Sequence, residues 1–536
     1  MSFSPPSSSS PQLDWVDAFV ERIRPYIHVR LTDRVLIRLP NQAFKLNKTG
    51  ARVLHHIING GSINDILKAR DSDPELQSQL HSFFIDLSRT LDSAICDAYQ
   101  SPSLERVSFD LGYIELPVLS EVALTWRCNI KCQFCYASCT CISETDEESD
   151  MVELSTDEVM RLLSIIRHEV EVPSVSFTGG EATLRSDLEE LVAYASRTLN
   201  MRVNLITNGT LIDEKRAAAL KAAGLASAQV SIESPDPSVH NRIVGVHGRM
   251  VGGKDAFQAS VSGLKALKKA GVSVHPHATL CRMNAGTLRD MPHFAKSLGV
   301  DRFSLNMIIP AGRGVAEELA VKYSEIQDMF VDIQKKAESQ GIRFMWYSPT
   351  PMCLFNPVIH DLGNKGCSAC EGLLSVDPYG RILPCSSWKE PIGNLLHDGF
   401  QSLWFGDRGK ALRDKRSAHP ECRACEHFAV CHGACPLYFK VHGYSELEPA
   451  FQNLRIGKQP ILQGLKINGK PALSENKTAD NADHNSLSNR RVKPDCNDRL
   501  HPRSPLGLSS HSGHKASSGH FDHPDQKSFS DKRSSQ

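Results

Sequence analysis

The chain has 536 residues, 40% of them hydrophobic, and its 61 basic side chains balance 61 acidic ones. That is enough apolar material for more than one core, and a net charge of zero gives no electrostatic ground for a nucleic-acid or membrane partner. No run of about 18 apolar residues is present to span a bilayer, and the opening MSFSPPSSSSPQ lacks the basic and apolar segments of a secretion signal, so a cytoplasmic protein is expected.

In chain order, residues 1–25 open with a Ser/Pro-rich tract and are expected to be flexible. Residues 26–100 read as a small separate domain. VLIRLPNQAFKLN gives two short strands around Pro40. Asn47 then caps a helix with Val53, Leu54, Ile57 and Ile58 on one face, and Ser62 caps a second carrying Ile63, Ile66 and Leu67. Strands followed by helices suggest a winged-helix-like module. Residues 118–345 alternate strand candidates (EVALTW, SVSFTG, RVNLIT, AQVSIE, VSVHPHATL, DRFSLNM) with helical stretches near 153–168, 186–198, 213–223, 253–269 and 285–298. This βα alternation predicts an α/β fold with a parallel sheet, open or curled as a partial barrel, its strand C-termini gathered at one rim. Residues 346–440 are rich in Cys, Gly and Pro and poor in periodicity, so ligands rather than a large apolar core are expected to hold them. Residues 465–536 shift to Ser, His, Asn, Asp and Lys and read as a disordered tail.

Sixteen cysteines fall mainly into three groups, at 128–141, 353–385 and 422–435. Outside an oxidising compartment, clustered thiols more often bind metal than form disulfides. Cys128, Cys132 and Cys135 follow the first strand with spacing CxxxCxxC. Three thiolates can hold three corners of a [4Fe–4S] cubane and leave one iron open; zinc with Cys139 or Cys141 as fourth ligand is the alternative. Cys139 and Cys141 otherwise read as spare thiols in a solvated loop. The second strand runs into FTGGEATLR, where Gly179 and Gly180 would let a ligand approach the backbone and Glu181 could bind an ammonium group.

This combination resembles the radical S-adenosylmethionine (SAM) enzymes, whose signature is CxxxCxφC with φ aromatic, here Phe134. The resemblance covers roughly residues 118–345 and implies a partial (βα)6 barrel. It implies a [4Fe–4S] cluster on Cys128, Cys132 and Cys135, with SAM chelating the open iron through its amino and carboxylate groups. Gly179, Gly180 and Glu181 would receive the methionine ammonium, and Phe134 would lie near the adenine. Thr207, Asn208 and Gly209 match the family's TNG at the third strand, and Ser231 and Glu233 its polar pair at the fourth, with Glu233 where many members have Asp. The implied chemistry is reductive cleavage of SAM to a 5′-deoxyadenosyl radical that abstracts hydrogen from an unactivated C–H bond. The electron would come from a reductase, a flavodoxin or a ferredoxin.

The later cysteines run Cys367-x2-Cys370, Gly380-x4-Cys385, then Cys422-x2-Cys425-x5-Cys431-x3-Cys435. Two separated pairs could form a zinc ribbon. The longer pattern resembles the SPASM extension of radical SAM peptide maturases, which holds one or two auxiliary Fe–S clusters. It implies Cys370, Cys385 and Cys435 in the first, with Cys367 as the further ligand and Cys353 as competitor, and Cys422, Cys425 and Cys431 in the second. Two departures stand out. The family's last cysteine, past the position of Cys435, is missing before Cys496, which leaves the second cluster with a non-Cys donor such as His432 or water, with an open iron, or absent. Ser386 stands where anaerobic sulfatase-maturating enzymes carry a basic Asp, against that activity. The stretch FKLNKTGARVLHHIINGGSINDIL resembles the PqqD-like domain, a winged-helix fold that recognises leader peptides by strand addition. Together these imply a maturase that crosslinks or otherwise modifies a ribosomally made precursor peptide, as sactipeptide and pyrroloquinoline quinone maturation enzymes do. The rivals are a radical SAM enzyme of tetrapyrrole tailoring and, from another class, a non-catalytic zinc or redox-binding protein.

Overall fold

The computed structural model describes residues 13–457 apart from 41, 70–72, 92–113, 142–150, 246–254 and 364, plus two-residue strand pieces at 466–467 and 470–471. The tail expected from 465 onward lies otherwise outside the described residues, as does Cys496.

The N-terminal module begins earlier than expected. Helix α1 (Val16–Ile23) falls within the stretch read as flexible, and its Val16, Phe19 and Val20 are buried in the module's own core. Three strands follow rather than two: β1 (Ile27–Arg30), β2 (Val35–Arg38) and β3 (Gln42–Lys45), paired antiparallel in that order. Asn47 caps α2 (Lys48–Ile58) by accepting from Gly50 N at 2.7 Å, and Ser62 and Asp65 form a capping box on α3 (Ile63–Lys68). Helix α4 (Pro74–Leu91) adds Leu80, Phe83, Phe84 and Leu87 to the core. The fully buried Arg30 ties the module to the next domain. It forks onto Asp33 at 2.8 and 2.7 Å and donates to the carbonyls of Leu116 and Pro117 at 2.9 and 2.8 Å. Beside it, Val35 and Ile37 pack on Val118.

All six expected barrel strands are present: β4 (Leu119–Ala123), β5 (Ser174–Thr178), β6 (Arg202–Thr207), β7 (Ser227–Ser231), β8 (Ser273–Leu280) and β9 (Arg302–Met307). The sheet extends further, through β10 (Arg343–Trp346), β11 (Leu373–Val376), β12 (Arg381–Leu383) and β13 (Gly393–Asn394). Its order is β10-β9-β8-β7-β6-β5-β4-β11-β12-β13, parallel as far as β11 and antiparallel after it. The two ends do not pair with each other, so the barrel is partial. Strand β11 comes from the cysteine-rich region and covers the otherwise free edge of β4. The crossovers carry α5 (Thr156–His168), α6 (Leu188–Ala193), α7 (Glu214–Ala223), α8 (Pro237–Val244), α9 (Ala256–Lys269), α10 (Met291–Ser297) and α11 (Gln327–Ser339).

Alternate strand residues such as Val175, Phe177, Val203, Leu205, Phe303 and Leu305 belong to one contiguous apolar cluster. The cysteine-rich region is not held by ligands alone, contrary to expectation. Phe400, Trp404, Tyr438, Phe439 and Phe451 are all buried and join that same cluster. Among the described residues no helix is long and apolar enough to cross a membrane.

Candidate active site

The loop after β4 carries Cys128, which is buried, and Cys132 and Cys135, which are half-buried. The loop closes on itself through a two-residue parallel ladder of Arg127–Cys128 with Thr140–Cys141. It is anchored to the end of α8, Lys131 N donating to Val244 O at 3.0 Å and Gln133 N to Ile243 O at 3.0 Å. Burial pushes the Cys132 thiol well above its ordinary value, and the neighbouring Glu233, Cys135 and Cys128 add to the push. A desolvated thiol among other thiols resists ionising without a cation to share, and Cys132 is the one held in this way. Cys139 is not in a solvated loop, as the sequence suggests: it is buried, and its hydrogen bond to Cys135 draws the latter down to about 6.

Arg313 was not anticipated. It sits in the PAGRG turn after β9, where its N–H donates to Cys135 O at 2.9 Å and its Nε to Cys132 O at 3.0 Å. A Cβ on Gly312 would lie 2.3 Å from Tyr136 O and 2.5 Å from Cys135 O, so this turn lies against the cysteine loop's main chain. Arg313 Nη2 is buried and has no partner among the described residues. A thiol trio with an unspent guanidinium donor beside it suits a polynuclear anionic cluster and an anionic ligand. Among the described residues, no three or more His, Cys, Asp or Glu side chains gather as tightly as a single metal ion requires.

Gly179 and Gly180 follow β5, and here the structure changes the reason for them. A Cβ at either would lie 2.3 Å from a carbonyl oxygen, that of Thr125 or Arg127, so the glycines admit the strand that launches the cysteine loop. Gly180 N and Glu181 N donate to those same two carbonyls at 2.7 and 2.9 Å. The buried Glu181 carboxylate is committed to the protein's own donors: Thr183 N, Thr183 Oγ1 and Thr207 Oγ1 on Oε1, and Asn208 N on Oε2 at 2.7 Å. Asn208 Nδ2 donates to Asn129 Oδ1 at 2.9 Å, and Asn129 lies inside the cysteine loop. Glu181, Thr207 and Asn208 therefore brace the loop.

Glu233, after β7, is buried, accepts from Thr279 N at 2.7 Å, and is pushed up by burial to about 8. Ser231 lies opposite His277 on β8, whose Nδ1 is 2.8 Å from Ser304 Oγ on β9. Phe134 packs with Val239, Ile243, Cys281 and Ile308. The strand residues that do not face the helices are largely polar. Register places Ser375, Glu121, Ser176 and Asn204 side by side across β11, β4, β5 and β6. A barrel interior of this kind is normally filled with branched apolar side chains; a polar one suits a bound substrate. Glu121, also missed in the sequence, is half-buried beside Ser386, with which it hydrogen-bonds, and desolvation pushes its carboxyl up to about 7. Tyr136 hydrogen-bonds the same serine. A carboxyl group thus does reach the position beside Cys385, but from β4. The one sequence signal for it is a lone acid in the strand LSEVA.

The later cysteines separate into two sets. Burial pushes Cys370 and Cys435 up to about 12 and raises Cys385 as well, and Cys367 adds to all three. Cys353 and Cys422 are likewise raised to about 12 by burial, then by each other's neighbours Cys431 and Cys425. Cys367 and His432 line one cleft; Cys353, Cys422, Cys425 and Cys431 line another.

A cysteine loop at the rim of a partial barrel, followed by further cysteine sets, defines an iron–sulfur enzyme of the SAM-cleaving type. The comparisons name its family: residues 122–298 match the radical SAM superfamily and 367–426 the SPASM iron–sulfur cluster-binding domain, and the chain is a radical SAM enzyme with a SPASM region. Its cofactors are a [4Fe–4S] cluster and SAM, with auxiliary Fe–S clusters in the SPASM region. It is 26% identical over 345 residues to the AdoMet-dependent heme synthase of Nitratidesulfovibrio vulgaris, covering 60% of this chain and 88% of that one. It is 28% identical over 346 residues to the mycofactocin maturase MftC of Mycolicibacterium smegmatis, covering 61% and 80%. In fold it is similar to Streptococcus suis SuiB bound to the precursor peptide SuiA, with TM-score 0.55 and 16% identity over 77% of this chain and 95% of that one.

Proposed function

We propose that the chain is a radical SAM maturase that modifies a ribosomally made precursor peptide at an unactivated C–H bond, forming a crosslink. The observation that carries this reading is the N-terminal module. It has its own core, a three-stranded antiparallel sheet, and a buried Arg30–Asp33 pair fixing it to the chain just before β4. In this reading it is a PqqD-like leader-binding domain, and an extended leader adds to its sheet. SuiB, of similar fold, has a precursor peptide bound.

Cys128, Cys132 and Cys135 would hold the SAM-binding cluster, which supplies the 5′-deoxyadenosyl radical when loaded. Arg313 would fix the loop and offer its spare donor to the anionic assembly. The 179–181 turn would present its backbone to the methionine ammonium, since the Glu181 carboxylate is already satisfied. Phe134, Ser231 and Glu233 would border SAM. Glu121 and the polar strand residues around it would hydrogen-bond the substrate segment between the barrel and the SPASM cysteines. The electron would come from a reductase, flavodoxin or ferredoxin.

The test is to supply the reconstituted, reduced enzyme with SAM and, in parallel, short peptides encoded beside it and iron coproporphyrin. A peptide losing two hydrogens in step with 5′-deoxyadenosine formation supports the reading. Turnover of the porphyrin with every peptide unchanged replaces it with tetrapyrrole tailoring, the activity named for the heme synthase relatives.

A further inference from the structure

Three cysteines of the SPASM region, Cys422, Cys425 and Cys431, are followed by Cys435, which belongs to the other set, and then by no further cysteine before Cys496, which lies outside the described residues. The structure supplies one from the other direction. Cys422 and Cys431 lie in two four-residue helices, Pro420–Arg423 and Phe428–Cys431, and Cys425 lies in the turn between them. They form one wall of a cleft of about 460 Å³. The turn just after β10 lines the same cleft and contributes Met352 and Cys353, alongside Leu447, Phe451 and Leu454. The turn touches the cysteine-bearing helices: Cys431 Sγ lies 3.9 Å from Thr350 O.

That turn is held in place without any metal. Trp346 Nε1 donates to Thr350 Oγ1 at 2.7 Å, and Thr350 N donates to Lys365 O at 3.0 Å. Leu354 N and Phe355 N both donate to Pro351 O, at 2.9 and 3.1 Å, and Phe355 is buried. Cys353 is therefore delivered to the cleft by backbone already fixed by folding. A tail residue would bring about 1–2 kcal/mol of ordering cost for each residue fixed along the way.

The alternatives are placed elsewhere or are weaker. His432 lines the separate cleft with Cys367, and its Nδ1 is 3.8 Å from Glu371. Cys367 stands with Cys370, Cys385 and Cys435, so Cys353 is not needed there. His427 does line the cleft, with its Nε2 3.4 Å from Glu426. Among the described residues lining the cleft, it is the one side-chain nitrogen donor in competition.

We propose that Cys353 is the fourth protein ligand of the second auxiliary cluster, which makes that cluster an all-cysteine [4Fe–4S] centre closed to exogenous ligands. The inference rests on the assignment of Cys422, Cys425 and Cys431 to such a cluster. A closed centre serves electron transfer or folding and does not take substrate as a ligand. With Cys367, Cys370, Cys385 and Cys435 completing the other set, the loop at Cys128–Cys135 keeps the one open iron.

The test uses the full chain, reconstituted anaerobically, with Cys353→Ser, Cys353→Ala, His427→Gln, Cys496→Ala and the triple Cys422→Ala/Cys425→Ala/Cys431→Ala. Iron, sulfide and Mössbauer spectra are measured per chain, with circular dichroism as the check on folding. Cys353→Ala is expected to lose roughly one third of the iron, or to convert one cluster to a three-iron form with its own EPR signal. Cys353→Ser is expected to keep the iron but shift the reduction potential of one cluster, because an alkoxide replaces a thiolate. Unchanged iron and spectra in both Cys353 variants, with loss in His427→Gln or Cys496→Ala, overturns the proposal. Unchanged iron in the triple variant overturns the underlying cluster assignment as well, and so distinguishes the two failures.

Discussion

In the barrel, the cysteine loop hangs from β4, one of eight parallel strands whose alternate side chains are buried against helices. After residue 350 the cysteines sit instead in turns and in helices of four residues, placed between buried aromatics such as Trp404, Tyr438 and Phe451. A four-residue helix satisfies few of its own backbone groups and is not stable alone. The barrel positions its thiols through hydrogen-bonded strands that exist without metal. The later region has aromatic anchors but little ladder, so, apart from the turn that bears Cys353, its cysteine-bearing turns and short helices lean on the clusters they hold. The difference teaches that similar thiol spacing can be imposed by the fold in one place and by the ligand in another.

The sharpest way to separate the two is to remove the barrel's own thiols. Replacing Cys128, Cys132 and Cys135 together by alanine is expected to lower 5′-deoxyadenosine formation under dithionite by more than about a hundredfold. Amide exchange in β5–β9 should stay at wild-type protection, since those strands owe nothing to the loop. Stripping iron with a chelator should act the other way round. Amides of residues 420–442 should lose on the order of 5 kcal/mol of protection, while the barrel strands keep theirs. Equal losses in both regions would dissolve the distinction.

Glu121 lies where the regions meet, and its effect is expected to be smaller. Burial raises its carboxyl from 4.5 to about 7. Wild type is unpenalised below pH 4.5, loses stability as pH rises toward 7, and levels off above that. Glu121→Gln stays neutral throughout. It should match wild type near pH 4.5 and exceed it by roughly 3 kcal/mol at pH 8, as read from unfolding midpoints across that range. Arg313→Lys should have the least effect. The backbone bond to Cys135 O survives, but the guanidinium's paired contacts to Cys132 O and Cys139 O cannot both be reproduced by an ammonium. About 1–2 kcal/mol of loop anchoring should be lost, read as a tenfold weaker SAM affinity with the barrel's melting unchanged.

Much of the barrel was legible because its strands repeat every two residues and its helices carry caps. All six strands read from the sequence are present. Strands β10 and β11 were not seen because four residues such as RFMW or LLSV carry too little period to count. Helix α1 was masked by its Ser/Pro neighbour. The cysteine spacings pointed to cluster chemistry, but they could not show that Cys353 approaches a set lying about seventy residues further on. Nor could they show that Glu181 faces its own backbone, or that Arg313 crosses from the sixth strand to the first loop. Those facts depend on the curl of the sheet, which joins residues that no local pattern relates.

The pairing of β11 with β4 also bears on how the chain is made. β4 ends at Ala123 and β11 begins at Leu373, so the two partners leave the ribosome far apart. At synthesis rates of about 5–20 residues per second, β4 waits roughly 10–50 s with one edge uncovered. An exposed parallel edge is a template for foreign strands. Stalled or truncated chains ending before Leu373 should therefore be the ones that aggregate, and chains cut after Asn394 should not.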